Sequence, residues 1–417
     1  MPSTSTISAQ SSSESTTSIS DTNKKPSSTQ NDSSTNTPAN SSSESSQENI
    51  PVSSNTTVTE EVPEKQWYTR NISLSAQELN TALTQQYTKP KNVIVMIGDG
   101  MGANDLEITK QLSDALMDFG IIIDKLPNKG FATTRNYKGE VTDSAASATA
   151  LATGTKTLNS MVGLDSNGQF LQNVSELARA QGKKVGIVTS DLFTGATPSG
   201  FTVHTSSRGN TDEIVKGFLE FLPDVLIGDG MGDFNNVTYA SQKYLLIRER
   251  IAVASSFNLF EYKLNELPDK PFFGFASFNL DSNTTQLAYC TEIALNRLDN
   301  ENGFFLMVES CGPDKGGHTG NLNQKLTGVN SLNNAVAVAL KYCLKNPDTV
   351  LIVTADHETG GVVIPENLTK DSEIFTALGH TAIDVGVFAL GYGTEYFNGK
   401  TVDNTDIAKF VINTLKN

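Results

Sequence analysis

The sequence contains no apolar run of about 18 residues, so no segment of it reads as a membrane-spanning helix. Basic residues are scarce: 31 Lys and Arg stand against 46 Asp and Glu, a net charge of −15. That balance argues against a broad grip on DNA or RNA, which needs clustered cations to displace counterions. It argues equally against a polybasic membrane anchor. Cysteine is limited to Cys290, Cys311 and Cys343. So few, odd in number and without metal-pair spacing, they form no disulfide framework. Three buried thiols are the expectation; one bridge with a thiol left over is the alternative.

Aromatic residues are missing before Trp67. Residues 1–60 hold 20 Ser and 11 Thr instead. Such a stretch cannot bury enough apolar area to offset an ordering cost of roughly 1–2 kcal/mol per backbone residue. Residues 1–66 are therefore expected to be a disordered Ser/Thr-rich tether, followed by one globular domain over 67–417. The first residues, Met1-Pro2-Ser3-Thr4, carry neither a charged n-region nor an apolar h-region and are not read as a signal peptide. Eight Asn-X-Ser/Thr sequons occur, at Asn31, Asn40, Asn55, Asn71, Asn173, Asn236, Asn283 and Asn367. A chain rich in these residues produces them by chance.

Past Trp67, short apolar runs alternate with longer amphipathic segments. This predicts an α/β fold with a mostly parallel sheet and helices on both faces. Five runs stand out: Asn92–Ile97, Lys184–Thr189, Phe304–Val308, Val350–Thr354 and Asp384–Leu390. Runs of this kind suit parallel strands buried on both faces. The first four are followed by Asp99, Asp191, Glu309 and Asp356-His357. In open α/β sheets ligands bind beyond the carboxyl ends of the strands, so these residues should converge on one rim.

Carboxylates gathered in one crevice repel, and burying them costs several kcal/mol each. Nearby basic residues are too few to compensate, so a divalent metal cluster is expected. Three of the four histidines, His318, His357 and His380, lie beside acidic or glycine-rich turns. Mixed imidazole and carboxylate ligands suit zinc, and all-oxygen ligands suit magnesium or manganese. His204 is read as a supporting residue with no metal role, and Cys311 as packing.

The segment from Thr142 to Leu151 is alanine-rich and predicts a helix. Ser144 would sit in its first turn, where the N-terminal field favours an anion. Taken alone, the simpler reading is the stronger: Thr142 or Asp143 as a plain N-cap with Ser144 as first-turn filler.

These pieces together resemble the alkaline phosphatase family, in family order, from about Lys91 to the C-terminus. They are Asp99-Gly100-Met101-Gly102, the string from Thr142 to Ala150, Ala196-Thr197-Pro198 with Arg208 downstream, and Glu309 leading into Asp314-Lys315-Gly316-Gly317-His318. Thr354-Ala355-Asp356-His357 and Gly379-His380-Thr381 complete the set.

The resemblance implies two zinc ions and one magnesium ion. Asp314, His318 and His380 would hold one zinc, and Asp99, Asp356 and His357 the other. Asp99, Thr197 and Glu309 would hold magnesium. Ser144 would be the nucleophile of a phosphoserine mechanism, Arg208 the phosphate clamp, and Lys315 a contact to phosphate through water. It further implies a phosphate monoester hydrolase of broad range with an alkaline optimum, acting on small substrates in phosphate scavenging. Its location would be extracytoplasmic: secreted, periplasmic or tethered at the cell surface. Two alternatives are a phosphodiesterase, sulfatase or phosphomutase on the same scaffold, and a stalked binding protein with a decayed site.

Three departures from the family pattern stand out. Gly195 occupies the place of a usual Asp or His two positions before Thr197, which implies weaker magnesium binding. Only 22 residues separate His357 from His380, so the long crown insertion is absent; the chain reads as a compact member, with homodimerisation left open. Residues 210–302 match loosely, and the string from Leu226 to Gly232 reads as a strand and glycine turn.

Overall fold

The computed structural model describes residues 72–416 except Asp371. The expected tether and the first four sequons lie outside the described residues.

Twelve strands are present among the described residues: β1 (Asn92–Gly98), β2 (Asn128–Thr133), β3 (Lys184–Leu192), β4 (Val225–Asp229), β5 (Ala252–Ala254), β6 (Phe272–Phe275), β7 (Phe304–Ser310), β8 (Thr349–Thr354), β9 (Glu358–Thr359), β10 (His380–Thr381), β11 (Val385–Leu390) and β12 (Thr401–Asp403). Ten form one sheet in the order β12-β2-β11-β8-β1-β7-β3-β4-β6-β5. The central strands β1, β7 and β8 bury every residue, as their unbroken apolar runs require. One group of helices, including Gln286–Leu298 and Leu322–Lys345, covers one face. A second, including Ser144–Thr153 and Asn404–Lys416, covers the other. The expected three-layer α/β arrangement is what forms. The loosely matching stretch adds β4, β6 and β5 to one edge, and Leu226–Gly232 is a strand end followed by Gly230 at φ +108°.

Register decides where the functional residues meet. β1 lies between β7 and β8, parallel to both, with Ile97 opposite Glu309 and Thr354. β3 lies parallel to β7 with Thr189 opposite Glu309. The residues just after these four strands therefore share one rim.

The fifth run needs a correction. Its apolar run suits a parallel strand, but β11 pairs antiparallel with both β8 and β2. The reversal has a consequence for the site. An antiparallel strand presents its amino end where its parallel neighbours present their carboxyl ends. The segment entering β11 thus arrives at the rim, and β10 pairs there with β9, setting His380 opposite Thr359.

Candidate active site

Ser144 is the first residue of the helix Ser144–Thr153, and Asp143 is its N-cap, accepting from the Ala146 N–H at 2.9 Å. The capping reading and the nucleophile reading are compatible. Asp143 satisfies the helix end, while Ser144, only 3% exposed, turns its Oγ to within 3.2 Å of His357 Nε2.

Asp99, Asp356 and His357 close on this serine. His357 Nε2 lies 3.1 Å from Asp356 Oδ2 and 3.6 Å from Asp99 Oδ1. The other oxygen of Asp356 accepts from the N–H groups of Gly100 and His357, which fixes the carboxylate. Gly100 stands at φ +66°, and a Cβ there would lie 2.7 Å from the Asp314 Cα, so only glycine fits between these ligand-bearing turns.

Asp314, His318 and His380 form a second cluster. His318 Nδ1 lies 2.8 Å from the Leu378 carbonyl oxygen, and His380 Nδ1 lies 2.9 Å from that of Thr142. A carbonyl oxygen only accepts, so each Nδ1 carries a proton, and Nε2 is the ring atom each histidine turns toward Asp314. Those two Nε2 atoms sit 3.0 Å apart, and each is 3.4 Å from Asp314 Oδ1. Three electron-rich atoms on one point suit a shared cation. The His357 and His380 rings stack at 3.6 Å, so the two clusters adjoin, and Thr359 Oγ1 links them by donating to Asp314 Oδ1 at 2.6 Å while meeting His357 Nδ1 at 3.2 Å.

Glu309 and Thr197 are both buried beside this site, Glu309 accepting from Thr189 Oγ1. Burial and the neighbouring Asp191 push the Glu309 carboxyl up to about 8. Asp99 is raised well above the usual range by burial and then by Asp356, Asp314 and Glu309. Burial acts to raise Asp314 too, but hydrogen bonds from His380 and Thr359 and the adjacent imidazoles hold it well below the usual range. Asp99 Oδ1 and Asp356 Oδ2 are buried without a hydrogen-bond partner. Two orphaned carboxylate oxygens in one place are far from ordinary protein interior, and a cation there would satisfy them.

Arg208 and Lys315 are half-exposed. Arg208 Nη1 lies 3.4 Å from Asp143 Oδ2, which aims the guanidinium at the Ser144 end of the helix. Lys315 Nζ is 2.5 Å from Asp191 Oδ1. In sequence Asp191 is only a strand-end acid; the fold gives it a partner. Its other oxygen is 3.6 Å from where a Cβ at Gly195 would stand. Asp143 and Thr359 likewise carry no site role that the sequence alone assigns. Asp143 lay beside the serine as a signal, whereas Thr359 carried none.

His204 bonds the Gly163 carbonyl and Glu176, away from the metal-type clusters. All three cysteines are free and buried, and burial pushes the Cys311 thiol up to about 12, so it is inert packing. The sequon at Asn173 is fully buried as a helix N-cap and is closed to glycosylation.

A serine at a helix N-terminus, set among carboxylates and imidazoles at the rim of a parallel sheet, is an arrangement suited to hydrolytic chemistry. Comparison with known proteins narrows that class. The alkaline phosphatase family model matches residues 90–219 and 276–374. Alkaline phosphatase 4 of Bacillus subtilis is 33% identical over 325 residues, covering 72% of this chain and 68% of that one. The Escherichia coli alkaline phosphatase is 29% identical, covering 73% and 77%. The solved structure of alkaline phosphatase from the Antarctic bacterium TAB5 superposes with a TM-score of 0.70 at 27% identity, covering 80% of this chain and 99% of that one. A mutant of that enzyme carries Mg in its M3 site. The chain belongs to the alkaline phosphatase family and is a phosphoric monoester hydrolase. The family model leaves 220–275 unmatched, within the stretch expected to match loosely, and stops before His380.

Proposed function

We propose that the chain hydrolyses small phosphate monoesters of broad range through a phosphoserine on Ser144. The observation that carries this reading is Ser144 Oγ, held at 3.2 Å from His357 Nε2 among orphaned carboxylate oxygens. The donor set fits two zinc ions, at Asp314, His318 and His380 and at Asp99, Asp356 and His357, with magnesium at Asp99, Thr197 and Glu309. Bound there, the metals would supply Lewis acidity that lowers a hydroxyl pKa and offsets charge on the phosphoryl group.

The protein's own groups do the rest. Ser144 Oγ attacks phosphorus as the P–O bond to the alcohol breaks, and the alcohol leaves with a proton. Water then cleaves the phosphoserine, returning the serine hydroxyl and inorganic phosphate. The positive end of the helix Ser144–Thr153 favours the anionic oxygen and the phosphate beside it. Arg208, held by Asp143, offers a planar fork to two phosphate oxygens. Arg208→Ala is expected to raise KM for p-nitrophenyl phosphate roughly 10- to 100-fold, the loss of charge-assisted hydrogen bonds worth about 1.5–3 kcal/mol. Inhibition by inorganic phosphate should weaken in step; unchanged phosphate inhibition would remove Arg208 from the site.

Asp191 belongs to the same proposal. Its carboxylate, beside Gly195 and paired to Lys315, stands in for the acid absent at 195. Asp191→Ala should raise the magnesium concentration needed for half-maximal activity, while a variant indistinguishable from wild type in a magnesium titration would show that Asp191 merely pairs with Lys315 at the surface. An extracytoplasmic location with residues 1–66 as a tether completes the reading. Among the described residues no helix is long and apolar enough to cross a membrane. The deciding experiment is turnover of p-nitrophenyl phosphate from pH 7 to 10.5, after EDTA and after zinc is restored with and without magnesium. Rising alkaline activity lost to EDTA and regained with zinc is expected; activity confined to diesters or sulfate esters would overturn the assignment.

A further inference from the structure

Lys325 is fully buried, and so is its ion-pair partner Asp105, at 3.0 Å. The lysine lies in the first turn of the helix Leu322–Lys345, the positive end of its dipole, where a cation gains nothing from the helix. Burying an ammonium costs several kcal/mol unless every proton is accepted. Lys325 finds its acceptors in backbone. Its Nζ donates to the carbonyl oxygens of Thr359 at 2.9 Å, Pro313 at 3.1 Å and Gly100 at 3.3 Å.

Those three carbonyls belong to three segments far apart in sequence, and each segment carries groups of the site. Gly100 follows Asp99. Pro313 precedes Asp314. Thr359 follows His357 by two residues, and its hydroxyl touches both Asp314 and His357. The same segments are cross-linked above the lysine, since the Thr359 N–H donates to the Gly100 carbonyl. The helix bearing Asp314 and His318 approaches Lys325 closely: a Cβ on Gly316 would lie 2.6 Å from the Lys325 backbone nitrogen.

We propose that Lys325 is a positioning residue, a buried ammonium that pins the Gly100, Pro313 and Thr359 turns so that Asp99, Asp314 and His357 stand in register for metal. The proposal rests on the metal reading of the site. Its rival is that Lys325 only neutralises Asp105. A double variant separates the two. Asp105→Asn with Lys325→Met removes both charges together, and the asparagine oxygen can still accept from the Gly102 N–H that Asp105 now binds.

The test measures zinc affinity of metal-stripped protein by competition with a chromophoric chelator, beside thermal melts of the stripped protein. The double variant should melt close to wild type yet bind zinc at least about tenfold more weakly, the effect expected when an outer-shell partner is lost. Its kcat should fall further than its KM rises. A double variant that melts and binds zinc like wild type would overturn the proposal and leave charge balance as the whole role. Should the methionine variant fail to fold, Lys325→Gln, which keeps two N–H donors, is judged by the same competition: weakened zinc supports the proposal and unchanged zinc overturns it. Wild type that takes up no zinc would instead overturn the metal reading, and this inference with it.

Discussion

Replacing Ser144 by alanine is expected to lower kcat on p-nitrophenyl phosphate by at least about 1,000-fold, the scale seen when a nucleophile is removed from a preorganised site. The fold should survive. Ser144 makes no cap bond of its own, because Asp143 caps the helix, and alanine is the best helix former for a first-turn position. Metal-type ligands are untouched, so zinc uptake should stay near that of wild type. A covalent intermediate gives the sharper readout. Protein mixed with radiolabelled phosphate and quenched in acid should retain label on the peptide containing Ser144, and the alanine variant should retain none. Label retained by the alanine variant, or activity within tenfold of wild type, would sink the phosphoserine mechanism. Retained zinc binding with lost activity separates a missing nucleophile from a damaged site.

The second large effect concerns stability. The melting temperature of EDTA-treated protein should fall as pH rises from about 5 to 8, while that of metal-loaded protein should not. Glu309 titrates at about 8 in the fold, against an ordinary carboxylate near 4.3. Between those values the fold holds a proton that the unfolded chain has released. Stability therefore declines with rising pH across that window, by about 1.4 kcal/mol per pH unit for one such group. Asp99 shifts in the same direction, from burial and three neighbouring carboxylates. Asp314 shifts the other way, but its contribution is already complete above the ordinary carboxylate range and stays level through this window. The histidines oppose one another: burial lowers His357, whereas Asp314 and the Thr142 carbonyl raise His380 against the pull of burial. Bound cations select the deprotonated carboxylates and reverse the penalty. The gap between loaded and stripped protein should widen by a few kcal/mol toward pH 8; a gap that stays constant with pH would mean the carboxylates do not face a cation.

Much of the site was legible along the chain because its chemistry is locally written. An apolar run that ends in Asp99, Glu309 or Asp356-His357 announces a buried strand and what lies at its tip. The string from Thr142 to Ala150 announces a helix and its first turn. Other parts were not legible for a physical reason. Thr359, Asp143 and Lys325 work through atoms that any threonine, aspartate or lysine has. Their roles exist only when segments remote in sequence are brought within 3 Å or so of one another. Asp384–Leu390 was misgrouped because an apolar run has the same composition whichever way it points, and direction is set by pairing.

The amino-acid sequence by itself determined the family, the four strand tips that carry acid, the serine at a helix start and the three histidines beside acidic or glycine-rich turns. These are properties of short segments, fixed by burial and helix capping. The tertiary structure decided which of them meet. Parallel register aligned the tips of β1, β3, β7 and β8, and the reversal of β11 returned His380 to the same rim. A lysine hidden beneath the turns completed the arrangement, because a buried charge settles where scattered backbone carbonyls converge, and only the folded chain makes them converge.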